Sequence, residues 1–92
     1  MEMISIDPVE IGARIRAARS YAGMSQEELG VDLEASRRTV VEWEKGERLP
    51  AGKRLEWLLR EVSLATGWPH ALLTKDLDVF RAPAEREESA AA

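Results

Sequence analysis

Ninety-two residues suit one small domain, with a core near the lower limit at which a chain folds alone. The absence of cysteine excludes disulfides and thiolate metal sites, and no apolar run approaches the roughly 18 residues of a membrane span. The net charge of −4 argues against a nucleic-acid partner until it is mapped: residues 1–11 and 61–92 each carry −3, whereas residues 12–60 hold ten bases against eight acids.

The chain starts MEMISIDPVE, without the basic region of a secretory leader, and the absence of cysteine makes the cytoplasm the expected compartment. Met3 to Ile6 is too short to separate a strand from a loose lead-in. Asp7-Pro8-Val9-Glu10 opens the first helix, with an aspartate cap, proline at the first position and glutamate at the third. Ile6 and Ile11 can staple this entry. Ile11, Ile15, Ala18 and Ala22 make one apolar stripe, and Gly23 ends the helix.

Ser25 to Gly46 reads as two short helices joined by a tight bend. Ser25 caps the first, Glu28 completes a capping box, and Met24 and Leu29 stand where a hydrophobic staple needs them. This helix spans about Gln26 to Leu33 and buries Leu29 and Leu33. Ser36 caps the next helix, and Gly46 closes it at a position suited to a left-handed residue. At about 100° per residue, Val40, Trp43 and the stem of Glu44 fall on one side of that helix. Arg37, Arg38, Val41, Glu42 and Lys45 fall on the other. The basic residues cluster in its first turn, as in a helix that enters a DNA major groove amino end first. Arginines there grip guanine O6 and N7 in pairs, and an exposed valine meets a thymine methyl.

The loop Glu47-Arg48-Leu49-Pro50 leads to a fourth helix, about Gly52 to Thr66. Its core stripe is Leu55, Leu58, Leu59, Val62 and Ala65. Trp57 and Leu64 lie near the opposite face, where later chain or a second subunit must cover them. Gly67 stops this helix, and Trp68-Pro69 restart a short one through about Thr74. Leu72, Leu73, Leu77, Val79 and Phe80 add more apolar surface than a solvated tail carries. Residues 76–81 alternate like a strand, yet Leu73, Leu77 and Phe80 also keep helical spacing, and period leaves both open. Residues 82–92, APAEREESAAA, form a charged, low-complexity tail.

The run SQEELGVDLEASRRTVVEWEKGERLP resembles the helix-turn-helix of the lambda-repressor and Cro class of phage and bacterial regulators, over about Ile11 to Leu59. The marks are Gln26 at the start of the first motif helix, the Trp43-Glu44-x-Gly46 run, and Leu49-Pro50 after it. The resemblance implies that the first outward positions of the recognition helix, and one a turn later, read bases. These are Arg37, Arg38 and Glu42, with Val41 as an apolar contact. Glu42 either accepts from a cytosine N4 or orients Arg38 at i+4. The resemblance also implies that Gln26 touches the DNA backbone and braces the recognition helix, and that Arg19 bonds Glu44 as a structural ion pair. Gly30 sits where the family has a small residue, because the two motif helices approach closely. Glu34 departs from the glycine usual at the bend, and a left-handed glutamate costs about 1 kcal/mol.

Ser25, Ser36, Thr39, Lys45 and Arg48 are further candidates for phosphate contact. His70 has no second ligand at metal spacing and reads as a surface residue, so no metal or cofactor is expected. Trp43, Trp57 and Trp68 have the ring faces to stack single-stranded bases, but one points inward and the others suit a core or interface. No nucleophile, base and orienting group form a constellation, so an enzyme is not expected.

The expected fold is all-α, about five short helices with a central helix-turn-helix. A short C-terminal strand or extended arm stays open. Residues 1–75 would be the DNA-binding domain and 76–92 an arm and charged tail. The expected partner is double-stranded DNA, bound by a homodimer joined through Trp57, Leu64, Trp68, Leu77 and Phe80. Such a protein represses transcription by occlusion at an inverted repeat. The alternative is an antitoxin-type or other protein-interaction module whose C-terminal segment binds a protein partner. No membrane partner is expected.

Overall fold

The computed structural model describes residues 7–77, which form five helices: α1 (Pro8–Ala22), α2 (Gln26–Leu33), α3 (Arg37–Lys45), α4 (Lys53–Thr66) and α5 (His70–Thr74). The described residues contain no strand, and none of their helices is long and apolar enough to cross a membrane. The readings of Met3–Ile6, Val79, Phe80 and the tail from residue 82 lie outside the described residues, as do those of the Ile6 staple and most of segment 76–81.

Local sequence sets the helix ends. The Asp7 carboxylate accepts the Val9 N–H at 3.0 Å, and Pro8 occupies the first position, where a missing N–H leaves nothing unpaired. Ser25 Oγ accepts the Glu28 N–H at 3.0 Å while Glu28 accepts the Ser25 N–H at 2.8 Å, so the capping box is complete. Ser36 Oγ accepts the Thr39 N–H at 3.1 Å. Gly46 ends α3 at φ 76°. A Cβ there would also lie 2.8 Å from the Pro8 backbone, so glycine both permits the left-handed turn and lets α3 end against the start of α1.

The core draws Ile11, Ile15 and Ala18 from α1, Leu29 from α2 and Val40 from α3. Leu55, Leu58, Leu59 and Val62 of α4 close over them, with Leu73 and Leu77 beyond. Each large apolar side chain fully buried here stabilises the fold by roughly 1.5–3 kcal/mol. Two sequence expectations are corrected. Leu33 is half-buried at the core margin, because α2 ends there, and Ala22 is exposed in the last turn of α1.

The C-terminal elements turn inward more than the sequence suggests. Leu77, expected at a subunit contact, is 8% exposed and belongs to the core. Trp68, also expected at that contact, packs against the core and meets the Tyr21 ring edge-on at 5.1 Å. The α4–α5 turn is tied by hydroxyls: Ser63 donates to the Trp68 carbonyl, and Thr66 accepts the Trp68 N–H. Arg14 of α1 then donates to the carbonyls of Leu73 and Lys75 at 3.1 and 2.7 Å. These carbonyls lie at the C-terminal end of α5 and on the residue that caps it, where a cation is favoured. His70 is not the plain surface residue expected. Its Nε2 is buried with no hydrogen-bond partner among the described residues, a cost to the fold.

The bend between α2 and α3 is left-handed at Glu34, with φ 56° and ψ 43°. A side chain there is strained by about 1 kcal/mol or more. Glu34→Gly removes that strain but adds freedom to the unfolded chain, which offsets part of the gain. The expected net is about 0.5–1 kcal/mol of added stability, read as a thermal midpoint higher by several degrees. A lower midpoint contradicts the account of this bend.

Candidate nucleic-acid interface

α3 is held from beneath and open from above. Val40 is fully buried, Trp43 packs on the core, and the Glu44 side chain is 5% exposed. Glu44 is the centre of a polar clamp. Arg19 of α1 donates to it through Nε at 2.6 Å and Nη2 at 3.0 Å, a two-pronged grip. Gln26 of α2 donates to the same carboxylate at 3.1 Å, and Arg19 also reaches the Met24 carbonyl at 2.9 Å. The Arg19 pKa is raised, chiefly by the hydrogen bond to Glu44 and with burial opposing it, so the guanidinium stays charged. One buried carboxylate thus locks α1, α2 and α3 together, and Gln26 braces α3 directly.

Backbone contact reinforces the clamp. A Cβ on Gly12 would lie 2.5 Å from the carbonyl oxygens of both Trp43 and Glu44. A Cβ on Gly30 would lie 2.5 Å from the Ala35 carbonyl oxygen. Gly12 is therefore a place where two helices pass too close for a side chain, and Gly30 one where the α2–α3 bend folds back on α2. Gly12 escaped sequence reading; the signal for it is an isolated glycine inside an apolar-periodic helix, which marks close packing without saying against what.

The exposed side of α3 splits into two halves. Arg38, 87% exposed at its side chain, lies 3.5 Å from Glu42, and Arg48 lies 3.7 Å from the other oxygen of Glu42. Glu42 is itself 20% exposed, lying along the surface between two arginines as an orienting group does. Arg37, Val41 and Lys45 face a separate concavity of about 550 Å³ bordered by Ser25. Ser25 is exposed, and its Oγ, as the cap of α2, accepts the Glu28 N–H, which leaves the hydroxyl proton free to donate. The Ser36 and Thr39 hydroxyls are 3.0 Å apart and pair with each other at the start of α3. The sequence groups Arg37 and Arg38 as one basic cluster, but adjacent residues diverge by about 100° around a helix.

Elsewhere on the surface, Trp57 is 66% exposed and Leu64 73% exposed, as their spacing requires. Trp57 borders a shallow groove with Trp43, Pro50 and Leu58. Arg14 and Arg16 of α1 escaped sequence reading: one caps carbonyls some sixty residues away, and the other is an exposed base on an otherwise structural helix.

The model of a helix-turn-helix domain matches residues 10–88, most of the chain. The chain belongs to the helix-turn-helix domain family. α2 and α3 are the two motif helices; in helix-turn-helix DNA-binding domains the second of these places side chains against base edges in the major groove, and here α1 and α4 pack against the pair. No curated protein matches the helix-turn-helix chain in a sequence search. The family gives the DNA-binding class; residue roles within the motif rest on the geometry above.

Proposed function

We propose that this helix-turn-helix protein is a sequence-specific transcription regulator of the lambda-repressor and Cro kind from a phage or bacterium. It binds double-stranded DNA in the cytoplasm and represses by covering a promoter site. One observation carries the reading: the first turn of α3 projects Arg37 and Arg38 outward while Val40, Trp43 and Glu44 anchor the helix below. A rigid helix with cations at its exposed amino end suits insertion into the major groove.

In this reading Arg37 and Arg38 contact guanine edges and Val41 a thymine methyl, while Glu42 fixes Arg38 for the same task. Ser25, Gln26, Ser36, Thr39, Lys45 and Arg48 place the domain on the phosphates. Two copies joined along the exposed α4 stripe of Trp57 and Leu64 would address an inverted repeat with half-sites roughly 34 Å apart. The local positive charge is small, so affinity falls steeply with salt.

Selection of bound sites from random duplex DNA tests the reading. The expected result is an enriched sequence with two-fold symmetry and half-sites about one helical turn apart. An unenriched pool, from folded protein at low salt, sinks the regulator proposal; a single asymmetric half-site sinks the dimer alone.

A further inference from the structure

We propose that the concavity between α1, α2 and α3 seats one backbone phosphate of DNA, and that Arg16 of α1 is the charge that holds it there. The proposal rests on the DNA-binding reading and adds to it a residue from outside the two motif helices. Arg16 borders the same concavity as Arg37 and Lys45. Among the described residues, none of these three cations lies within 4.0 Å of a carboxylate.

The charge balance of the concavity is what distinguishes it from ordinary surface. Two carboxylates border it, Glu44 and Glu27. Glu44 is neutralised by Arg19 beneath, which leaves Glu27 alone against Arg16, Arg37 and Lys45. A site with excess positive charge and a hydroxyl donor from Ser25 at its rim suits an anion. Because Arg37 and Lys45 lie eight residues apart on α3, they line about 12 Å of it. At its α2 side the concavity is lined by Ser25, Gln26 and Glu27, the start of the first motif helix, which is the helix that crosses the phosphates in this mode of docking.

Position decides between phosphate and base for Arg16. α1 packs on the inner side of α3 through Gly12 and the Arg19–Glu44 pair. Arg16, one turn from each, therefore stands behind the groove-facing surface of α3. From there a guanidinium meets the strand that borders the groove, whose charge it neutralises without reading sequence. The seat adds one ion contact per copy, independent of operator sequence.

The test is the salt dependence of binding to the duplex recovered by selection, and to a scrambled duplex, for the full chain. Arg16→Gln should lower affinity for both duplexes by the same factor and make the log–log salt slope shallower by about one per bound copy. Arg16→Lys should restore most of the slope. Arg60→Gln, an exposed charge on α4 away from the concavity, should leave the slope unchanged. An unchanged slope for Arg16→Gln, with wild-type binding intact, overturns the phosphate seat and leaves the DNA reading standing. An equal loss in Arg60→Gln overturns it too, since net charge alone would then explain the effect. Loss of affinity for the selected duplex only assigns Arg16 to a base and refutes the seat. Wild-type protein that binds neither duplex refutes the seat and the DNA reading together.

Discussion

Replacing Gly12 with alanine is expected to destabilise the domain by about 2–3 kcal/mol, although the same change usually favours a helix. In an open helix interior, alanine gains about 1 kcal/mol over glycine. Here the added methyl would meet the carbonyl oxygens of Trp43 and Glu44 at 2.5 Å, and both belong to backbone. Backbone in a packed helix cannot swing aside as a flexible side chain does, so α1 and α3 must move apart. Overpacking of this kind costs about 1–3 kcal/mol and sometimes more. Separating the helices also stretches the Arg19–Glu44 contact that spans the same gap. Chemical denaturation should show a lower midpoint with an unchanged slope. A neutral or stabilising result would mean that the close approach of α1 and α3 is wrong.

Arg19→Met should have a comparable or larger effect. It leaves the Glu44 carboxylate, 5% exposed, with Gln26 as its remaining side-chain donor, and it strips the Met24 carbonyl of its arginine. Removing one partner of a buried pair costs about 3–5 kcal/mol, most of it the stranded charge. The Arg19 side chain is 15% exposed, so the lower end of that range is expected. Two controls separate this from lost packing. Glu44→Gln should be milder, because Arg19 is the more exposed partner and keeps the Met24 carbonyl. Arg19→Met combined with Glu44→Leu should recover a large part of the loss, since no buried charge is left over. Additive losses in the double variant would refute the clamp.

These two variants also mark what the sequence does and does not disclose. The capping box of Ser25 and Glu28, the Ser36 cap and the Gly46 stop are local, so neighbouring residues announce them. The buried stripe of α4 follows from its period. Gly30 was expected to let the two motif helices approach; the close neighbour is instead the carbonyl of Ala35 in the bend between them. The role of Arg14 was not legible, because its carbonyl partners lie 59 and 61 residues away in sequence. Trp68 and Leu77 were assigned to a subunit contact because period shows that a side chain is apolar, not which neighbour covers it; Trp68 meets Tyr21 of α1 and Leu77 joins the core. Glu34 kept a left-handed bend despite its side chain, so the fold overrode local preference at one position. The exposed basic side of α3 was legible as a cluster, whereas its division between the Glu42 side and the concavity depends on how α3 rolls against α1.

A roll set by buried contacts has a functional consequence. The roll of α3 is set chiefly by Val40, Trp43, the Gly12 contact and the Arg19–Glu44 pair, none of which is assigned to DNA in the proposed reading, so stability and recognition should be separable by mutation. Arg37 and Arg38 are exposed, and Arg38 is held only by a surface ion pair worth about 0–1 kcal/mol. Substituting them should leave folding nearly unchanged.

The affinity of the Arg37→Ala and Arg38→Ala variants for the selected duplex, measured beside their thermal midpoints, therefore bears most directly on the central claim. Each variant should bind about tenfold or more weakly, the size of a lost guanine contact of about 1–3 kcal/mol, and melt within a few degrees of the parent. Undiminished affinity in both, from protein that is fully folded, would contradict the assignment of this helix end to the DNA.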